Sequence, residues 1–436
     1  MKINKKLLFQ IHSWIGVKLS LIFFIVCLSG TLATLSNEMD WLFIPEIRAE
    51  KTETKASRND IVAQIQSQFP NGKITYWAAA AAPYLCDIVY VQSEGVRNYV
   101  FVNPYTGQVQ GSSRLTFQRY FRDLHYYLFI PFQIGHFMVL MFAFLLLASS
   151  ITALLFYKKW YRKLFVLQTG KGGLVFFRSL HRLIGVWSVP MALLFSVTGI
   201  WYFIERANIG HVRDVGNPST PAITRAMDSA NYDSFSYTMN YDRVERMARK
   251  AIPGLRVKDM LPPGRATSSI YVNGVSEVPL VRNRANRVYI HPETYEVIGV
   301  QKAEEVSTTM WINDIVDPLH FGYWGGLTTK MLWFIAGAGI TALVASGLWI
   351  SLKRQVKSAR KIKPGKWIYL NWLTVGVLLI IMNYILLNKY QVTVALVTAI
   401  DAVWLVLACL LGYIYVDRLK YRNAAVKKKK GVSSVE

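Results

Sequence analysis

Apolar runs of roughly bilayer-spanning length punctuate this chain at residues 14–35, 136–157, 183–204, 332–352, 372–387 and 392–416. Two long polar stretches, about 37–130 and 205–325, separate the first run from the second and the third from the fourth. Their pattern is that of soluble α+β domains. In the first, a helical pattern at 59–69 precedes strand-like runs at 73–77, 87–92 and 99–103. Pro104-Tyr105-Thr106-Gly107 then leads to 108–111. Proline sets φ and glycine permits positive φ, so this reads as a tight hairpin. The second stretch repeats the order. Val244, Met247, Ala248 and Ile252 fall on one helical face within 241–252, and strand-like runs follow at 269–272 and 287–290. His291-Pro292-Glu293-Thr294-Tyr295 then stands where the first stretch has its Asn103-Pro104 turn.

The membrane-length runs repeat as well. Aligning the first with the third puts His12 on His181, Gly16 on Gly185, Ser29 on Thr198 and Gly30 on Gly199 without a gap. Asp123-Leu124-His125 precedes the second run and Asp317-Pro318-Leu319-His320 precedes the fourth; Lys158-Lys159 and Lys353-Arg354 close them. The chain is thus two copies of one unit: histidine, membrane helix, outer domain, histidine, membrane helix. The expected units are a first membrane helix (1–36), an outer domain (37–130), helices two and three with a basic loop (131–204), a second outer domain (205–325), helix four (326–356), helices five and six (367–417) and a basic tail (418–436). The fifth and sixth runs are an appendage that lacks the histidines.

Charge orients this arrangement. The 436 residues carry a net charge of +24 although 53% are hydrophobic, a combination that suits a membrane protein with its charges in the loops. Lys158, Lys159, Arg162, Lys163, Lys171 and Arg178 follow the second run without an acid. Lys353, Arg354, Lys357, Arg360, Lys361, Lys363 and Lys366 follow the fourth, and Arg418, Lys420, Arg422 and Lys427 to Lys430 form the tail. The positive-inside rule places these with both termini in the cytoplasm and the two polar stretches outside. The basic residues flank apolar runs instead of forming a domain of their own, which argues against a nucleic-acid partner and for membrane lipid. The three cysteines, Cys27, Cys86 and Cys409, make no disulfide or CxxC framework. The first run follows Lys2, Lys5 and Lys6 like a signal peptide, but it is long, lacks a small-residue cleavage pattern and belongs to a repeat; it reads as a retained anchor.

Four of the seven histidines occupy matching places in the repeat: His12 with His181 on the inner side, His125 with His320 on the outer side. Neutral imidazole is a strong ligand for haem iron, and facing helices of a bundle can present two to one haem. This predicts an α-helical integral membrane protein of six spans, with a four-helix haem-binding core, two extra helices and two outer α+β domains. Two haem b groups, one near each face, suit electron transfer because two histidines leave iron no open position. Zinc or copper is the competing metal, but zinc takes three or four converging ligands. His136 is a rival outer ligand whose repeat partner is Met331; His291 reads as a turn residue, and His211 has no repeat support. Asp401 inside the sixth run is a candidate for proton or quinone chemistry. Lys18 is placed to snorkel, and Gly16, Gly30, Gly185 and Gly199 to allow close packing of helices or of a flat cofactor. Trp41, Tyr76, Trp77, Trp311 and Trp324 read as core or interfacial aromatics. Dinucleotide, P-loop, zincin and serine-hydrolase motifs are absent from the sequence.

His12-Ser-Trp-Ile-Gly16, His181-Arg-Leu-Ile-Gly185, the endings at Gly30 and Gly199, the YVFVNPYTGQVQG turn from Tyr99 to Gly111, and the pairs Leu124-His125 and Leu319-His320 resemble the PepSY-associated transmembrane family of bacterial inner-membrane proteins. The second outer turn departs from that pattern, with Glu293 and Tyr295 in place of Tyr105 and Gly107. The resemblance covers about residues 1–360 and includes iron-regulated proteins and dihaem ferric-siderophore reductases. It implies haem ligation by His12, His181, His125 and His320, and electrons passed from a cytoplasmic or membrane donor to a periplasmic ferric siderophore or another acceptor. Competing readings are reduction of a different acceptor or quinone by the same haems, and a haem-free regulator whose outer domains bind an envelope partner.

Overall fold

The computed structural model describes residues 4–157, 159–223, 227–357, 366–410 and 412–413. Lys158, Arg360, Lys361, Lys363 and the basic tail, with the end of the sixth run, lie outside the described residues. The chain opens with helices α1 (Lys5–Lys18), α2 (Ser20–Thr34), α3 (Ser36–Phe43) and α4 (Arg58–Gln68). Strands β1 (Lys73–Ala78), β2 (Asp87–Ser93), β3 (Val96–Val102) and β4 (Val109–Ser113) follow, then α5 (Phe117–Tyr127), α6 (Phe132–Phe156) and α7 (Gly173–Arg206). The second half adds α8 (Val212–Gly216), α9 (Ser229–Thr238), α10 (Tyr241–Ala251), β5 (Arg256–Leu261), β6 (Ile270–Val275), β7 (Asn286–Ile290) and β8 (Val297–Gln301). It ends with α11 (Thr308–Phe321), α12 (Gly326–Lys357) and α13 (Lys366–Asn388), followed by the shorter apolar helix α14 (Val394–Leu410).

Among the described residues, α6, α7, α12 and α13 are long and apolar enough to cross a membrane, and α1 with α2 makes a fifth span if the bent pair counts as one. The expectation of six spans is met in part: among the described residues the sixth run forms the apolar helix α14, its end lying outside them, and the first run is broken by 74° between α1 and α2. Leu19 leaves helical geometry there, with φ −105° and ψ 13°. The Lys18 carbonyl accepts from the Asn371 side chain of α13 at 2.9 Å, and the Ser20 hydroxyl donates to the Val17 carbonyl at 3.1 Å. A helix tolerates such a break inside a membrane only when the freed backbone groups find other partners.

The helices pack as a ring: α1 on α6, α6 on α7, α7 on α12 and α12 on α2. Small residues set the closeness. A Cβ on Gly199 would stand 2.7 Å from Ala143 Cβ, and one on Gly337 would stand 2.6 Å from Thr31 Oγ1.

The two polar stretches do not form separate sheets. They join in one antiparallel sheet of order β4-β3-β2-β1-β5-β6-β7-β8. The seam is the β1–β5 pair, with Trp77 opposite Met260 and Ala78 opposite Asp259. One face carries a continuous apolar core in which Ile61, Val62 and Ile65 of α4 and Tyr241, Val244 and Ala248 of α10 cover Ile74, Val89, Val100, Val272 and Val288. The two covering helices cap each other. Asp242 accepts from the Arg58 backbone N–H at 3.0 Å and from the Ser57 hydroxyl at 2.6 Å, while Asn59 accepts from the Tyr241 N–H at 2.9 Å. Arg58 and Glu245 also pair across the two helices.

The repeated turn survives its substitutions. Asn103 Oδ1 accepts from the Tyr105 and Thr106 N–H groups, and His291 Nδ1 accepts from those of Glu293 and Thr294. Gly107 has φ +76° and Tyr295 takes φ +62° in the same place. His291 is thus a turn residue, as expected.

Candidate functional site

The helix ring brings the four repeat histidines together in the two expected pairs. His12 on α1 and His181 on α7 have ring centroids 6.5 Å apart at one end of the ring. His125 and His320 have centroids 6.3 Å apart at the end that carries the sheet. The outer two do not simply precede spans; they sit in the last turns of separate helices, α5 and α11. On α7 the run from His181 to Thr198, which contacts His320, spans roughly 25 Å at 1.5 Å per residue.

Every one of the four rings has its Nδ1 committed. His12 Nδ1 lies 3.0 Å from the Ser149 carbonyl and His125 Nδ1 lies 2.9 Å from the Val26 carbonyl. A carbonyl only accepts, so both Nδ1 atoms carry the proton. His181 Nδ1 meets Ser346 Oγ at 2.9 Å, and His320 Nδ1 meets Thr198 Oγ1 at 2.8 Å. Those hydroxyls already donate to the Ala342 and Leu194 carbonyls, each at 2.7 Å, so they too accept from Nδ1–H. All four histidines are therefore held in one tautomer, with the Nε2 lone pair left over. Fixing Nδ1–H on a carbonyl or hydroxyl is how proteins orient a metal-binding imidazole.

Space beside the rings is shaped by glycine. A Cβ on Gly30 would lie 2.6 Å from His125 Cε1, so only glycine admits that ring. A Cβ on Gly347 would press on His181 Cε1 at 3.3 Å, and Gly16, one turn from His12, faces open space. Gly185 meets only Leu343 at 3.6 Å, and Gly199 serves helix packing.

His136 packs against the residue that follows His125 and lies within electrostatic reach of that ring, but it sits in an aromatic nest of its own. It is 4% exposed and stacks on Phe132 at 5.1 Å and Tyr126 at 4.1 Å, and neither ring nitrogen has a hydrogen-bond partner. His211 is an exposed loop residue beside Asp214. Asp401 has a partner invisible in the sequence, the Asn383 side chain at 2.8 Å. No three His, Cys, Asp or Glu side chains converge as a metal cluster among the described residues.

Above the outer pair lies a charged and aromatic layer. Tyr202 Oη donates to Asp317 at 2.5 Å, and Arg282 pairs with the same carboxylate at 2.8 Å. Arg284 bridges Glu205 at 3.3 Å and Asp314 at 2.8 Å. The sheet turns its second face this way. Tyr90 stacks with Tyr76 at 4.8 Å and Tyr99 at 4.9 Å; burial pushes its hydroxyl pKa up while Arg122 and Arg119 of α5 pull it down.

Sequence reading missed the Nδ1 acceptors. Thr198 and Ser29 were visible as an aligned pair, and Ser149 and Ser346 as polar residues inside apolar runs, but sequence alone does not tell which polar residue faces a ring.

This arrangement defines a multi-pass membrane protein with a helix ring beneath an antiparallel sheet and a histidine pair at each end. The chain belongs to the PepSY-associated TM region family, whose match spans residues 9–354. No curated protein matches it significantly. The family match stops short of α13 and α14.

Proposed function

We propose that this protein is an inner-membrane dihaem oxidoreductase that carries electrons from the cytoplasmic side to a periplasmic acceptor. The carrying observation is the two histidine pairs with committed Nδ1 and free Nε2 atoms. Two imidazoles that share one metal, with metal–nitrogen bonds of about 2.0–2.1 Å, would have ring centroids no more than roughly 6.5 Å apart. The observed separations of 6.5 and 6.3 Å fit that requirement. The open space at Gly16 is of the kind a flat macrocycle occupies. His12 and His181 would hold one haem b, His125 and His320 the other. Bound haem supplies a one-electron carrier whose potential follows its axial ligands, hydrogen bonding and burial.

The protein's own groups do the rest. Ser149, Val26, Ser346 and Thr198 hold the imidazoles in their ligating tautomer and raise their basicity. The apolar helices exclude water from the path between the ends. Arg122 and the tyrosine face of the sheet offer an anionic, oxygen-rich acceptor a place to dock above the outer pair. Family resemblance favours a ferric siderophore as that acceptor: one electron converts Fe(III) to Fe(II), which hard oxygen donors hold less well.

The test is the visible spectrum of purified protein, oxidised and dithionite-reduced, with the haem-to-protein ratio. The expected result is a low-spin b-type spectrum near two haems per chain, followed by reoxidation on adding a ferric siderophore. Alanine at His12 or His181 should remove one haem, and alanine at His125 or His320 the other. Colourless protein from haem-replete cells sinks the reading and turns attention to a regulatory binding role; reoxidation by quinone alone would replace the siderophore.

A further inference from the structure

Each outer histidine follows an aspartate on its own helix, and the two aspartates are ringed alike. On α11, Asp317 is held by the Arg282 guanidinium at 2.8 Å and the Tyr202 hydroxyl at 2.5 Å. On α5, Asp123 is 1% exposed and is held by Arg119 at 3.0 Å and by the Tyr390 hydroxyl. Arg119 Nε also donates to Tyr390 Oη at 3.0 Å, and the Tyr127 hydroxyl joins the cluster through its own hydrogen bond to Asp123. A buried carboxylate such as Asp123 persists only with such partners, and half-buried Asp317 gains from the same kind of pairing.

The sources of the two tyrosines differ. Tyr202 and Arg282 both belong to the repeated unit and lie within the family match at 9–354. Tyr390 comes from the connection between α13 and α14, beyond that match. The same appended hairpin holds α5 elsewhere. Trp404 Nε1 donates to Tyr120 Oη at 2.6 Å, Tyr120 Oη lies 3.2 Å from Met382 Sδ, and Arg114 donates to the Gln391 carbonyl at 2.9 Å. Met382, Leu386 and Tyr390 are buried in one cluster with Tyr120, Leu124, Leu128 and Phe129. Asp401 and Asn383 tie the hairpin's helices to each other at 2.8 Å.

We propose that α13 and α14 form a strut for the His125 helix, with Tyr390 as the positioning residue that does for Asp123 what Tyr202 does for Asp317. In the first half of the repeat Tyr127 of α5 also hydrogen-bonds Asp123, and the appendage adds Tyr390 from outside the repeated unit. The mechanical part of this proposal stands on geometry alone; its consequence for a bound metal rests on the dihaem reading.

The experiment uses the full-length protein in nanodiscs, comparing Tyr390→Phe with wild type and with Trp404→Phe as a second variant. Amide hydrogen exchange is followed across 117–127 and 308–321. Loss of a hydrogen bond to a buried carboxylate should speed exchange in α5 by about tenfold and leave α11 unchanged. In protein that carries haem, the electron paramagnetic resonance signature or midpoint potential of the outer centre should shift in Tyr390→Phe while the inner centre stays fixed. Unchanged exchange in α5 in both variants overturns the strut. Faster exchange with an unmoved outer signature overturns the positioning role. If wild type holds no haem, the dihaem reading fails by itself and the exchange result alone decides the strut.

Discussion

Four hydrogen bonds decide what the site histidines can do. With Nδ1–H donated to Ser149, Val26, Ser346 or Thr198, each ring offers Nε2 to a metal. Thr198→Ala releases His320 Nδ1 and frees the ring to turn, so on the dihaem reading haem affinity at the outer pair should fall about 10- to 100-fold in a haem titration, with the inner pair unaffected. Gly30→Ala acts by volume instead, since its methyl would sit 2.6 Å from His125 Cε1. It should displace the ring, and on the dihaem reading a haem-to-protein ratio near one would record the loss. Asp40 carries a pH signal. It accepts from the Phe117 and Gln118 N–H groups at the start of α5, but burial pushes its carboxyl up to about 7. The unfolded chain releases that proton near the usual carboxylate value of about 3.9. Asp40 ionisation therefore costs the folded form stability as pH rises from about 4 through 7, and the cost levels off above. Thermal melts of wild type against Asp40→Asn should show this slope in wild type only.

Among the elements, α4 and α10 are the most revealing. Both are amphipathic helices visible in the sequence, yet neither N-terminus is capped only by its own chain neighbourhood. Asp242 and Asn59 cross over to cap the partner helix. Asp242→Ala should cost about 1–2 kcal/mol in chemical denaturation, more than a single exposed cap, because two hydrogen bonds and the Arg58 helix start go with it. The break between α1 and α2 was hidden for the opposite reason. Residues 14–35 are apolar apart from Lys18 and a few hydroxyl side chains, so hydropathy reads one straight span, whereas Asn371 from a distant helix takes the Lys18 carbonyl and stabilises a 74° bend. Tyr295 shows repetition holding at the level of backbone while residue type changes, since it keeps the left-handed turn that Gly107 makes easily.

At the scale of the molecule, the two halves share a core. Trp77 is 1% exposed at the β1–β5 seam and lies 5.2 Å from Tyr241 of the other half. Trp77→Ala should destabilise the sheet by about 3–5 kcal/mol, with exchange rising in β6 and β7 as well as β2, because one cooperative unit melts. Independent melting of the halves would refute that unity. The joined sheet sets one tyrosine face over both outer histidines, which two separate domains would not guarantee. Period and repetition, local properties of the chain, sufficed to reveal the apolar helices, the α+β outer stretches, the shared turn and the histidine pairing. Strand partners across the seam, the bend at Leu19, the Nδ1 acceptors and the docking of Tyr390 on Asp123 join residues far apart in the chain. Their energies come from burial and hydrogen-bond satisfaction in three dimensions, which no linear pattern records.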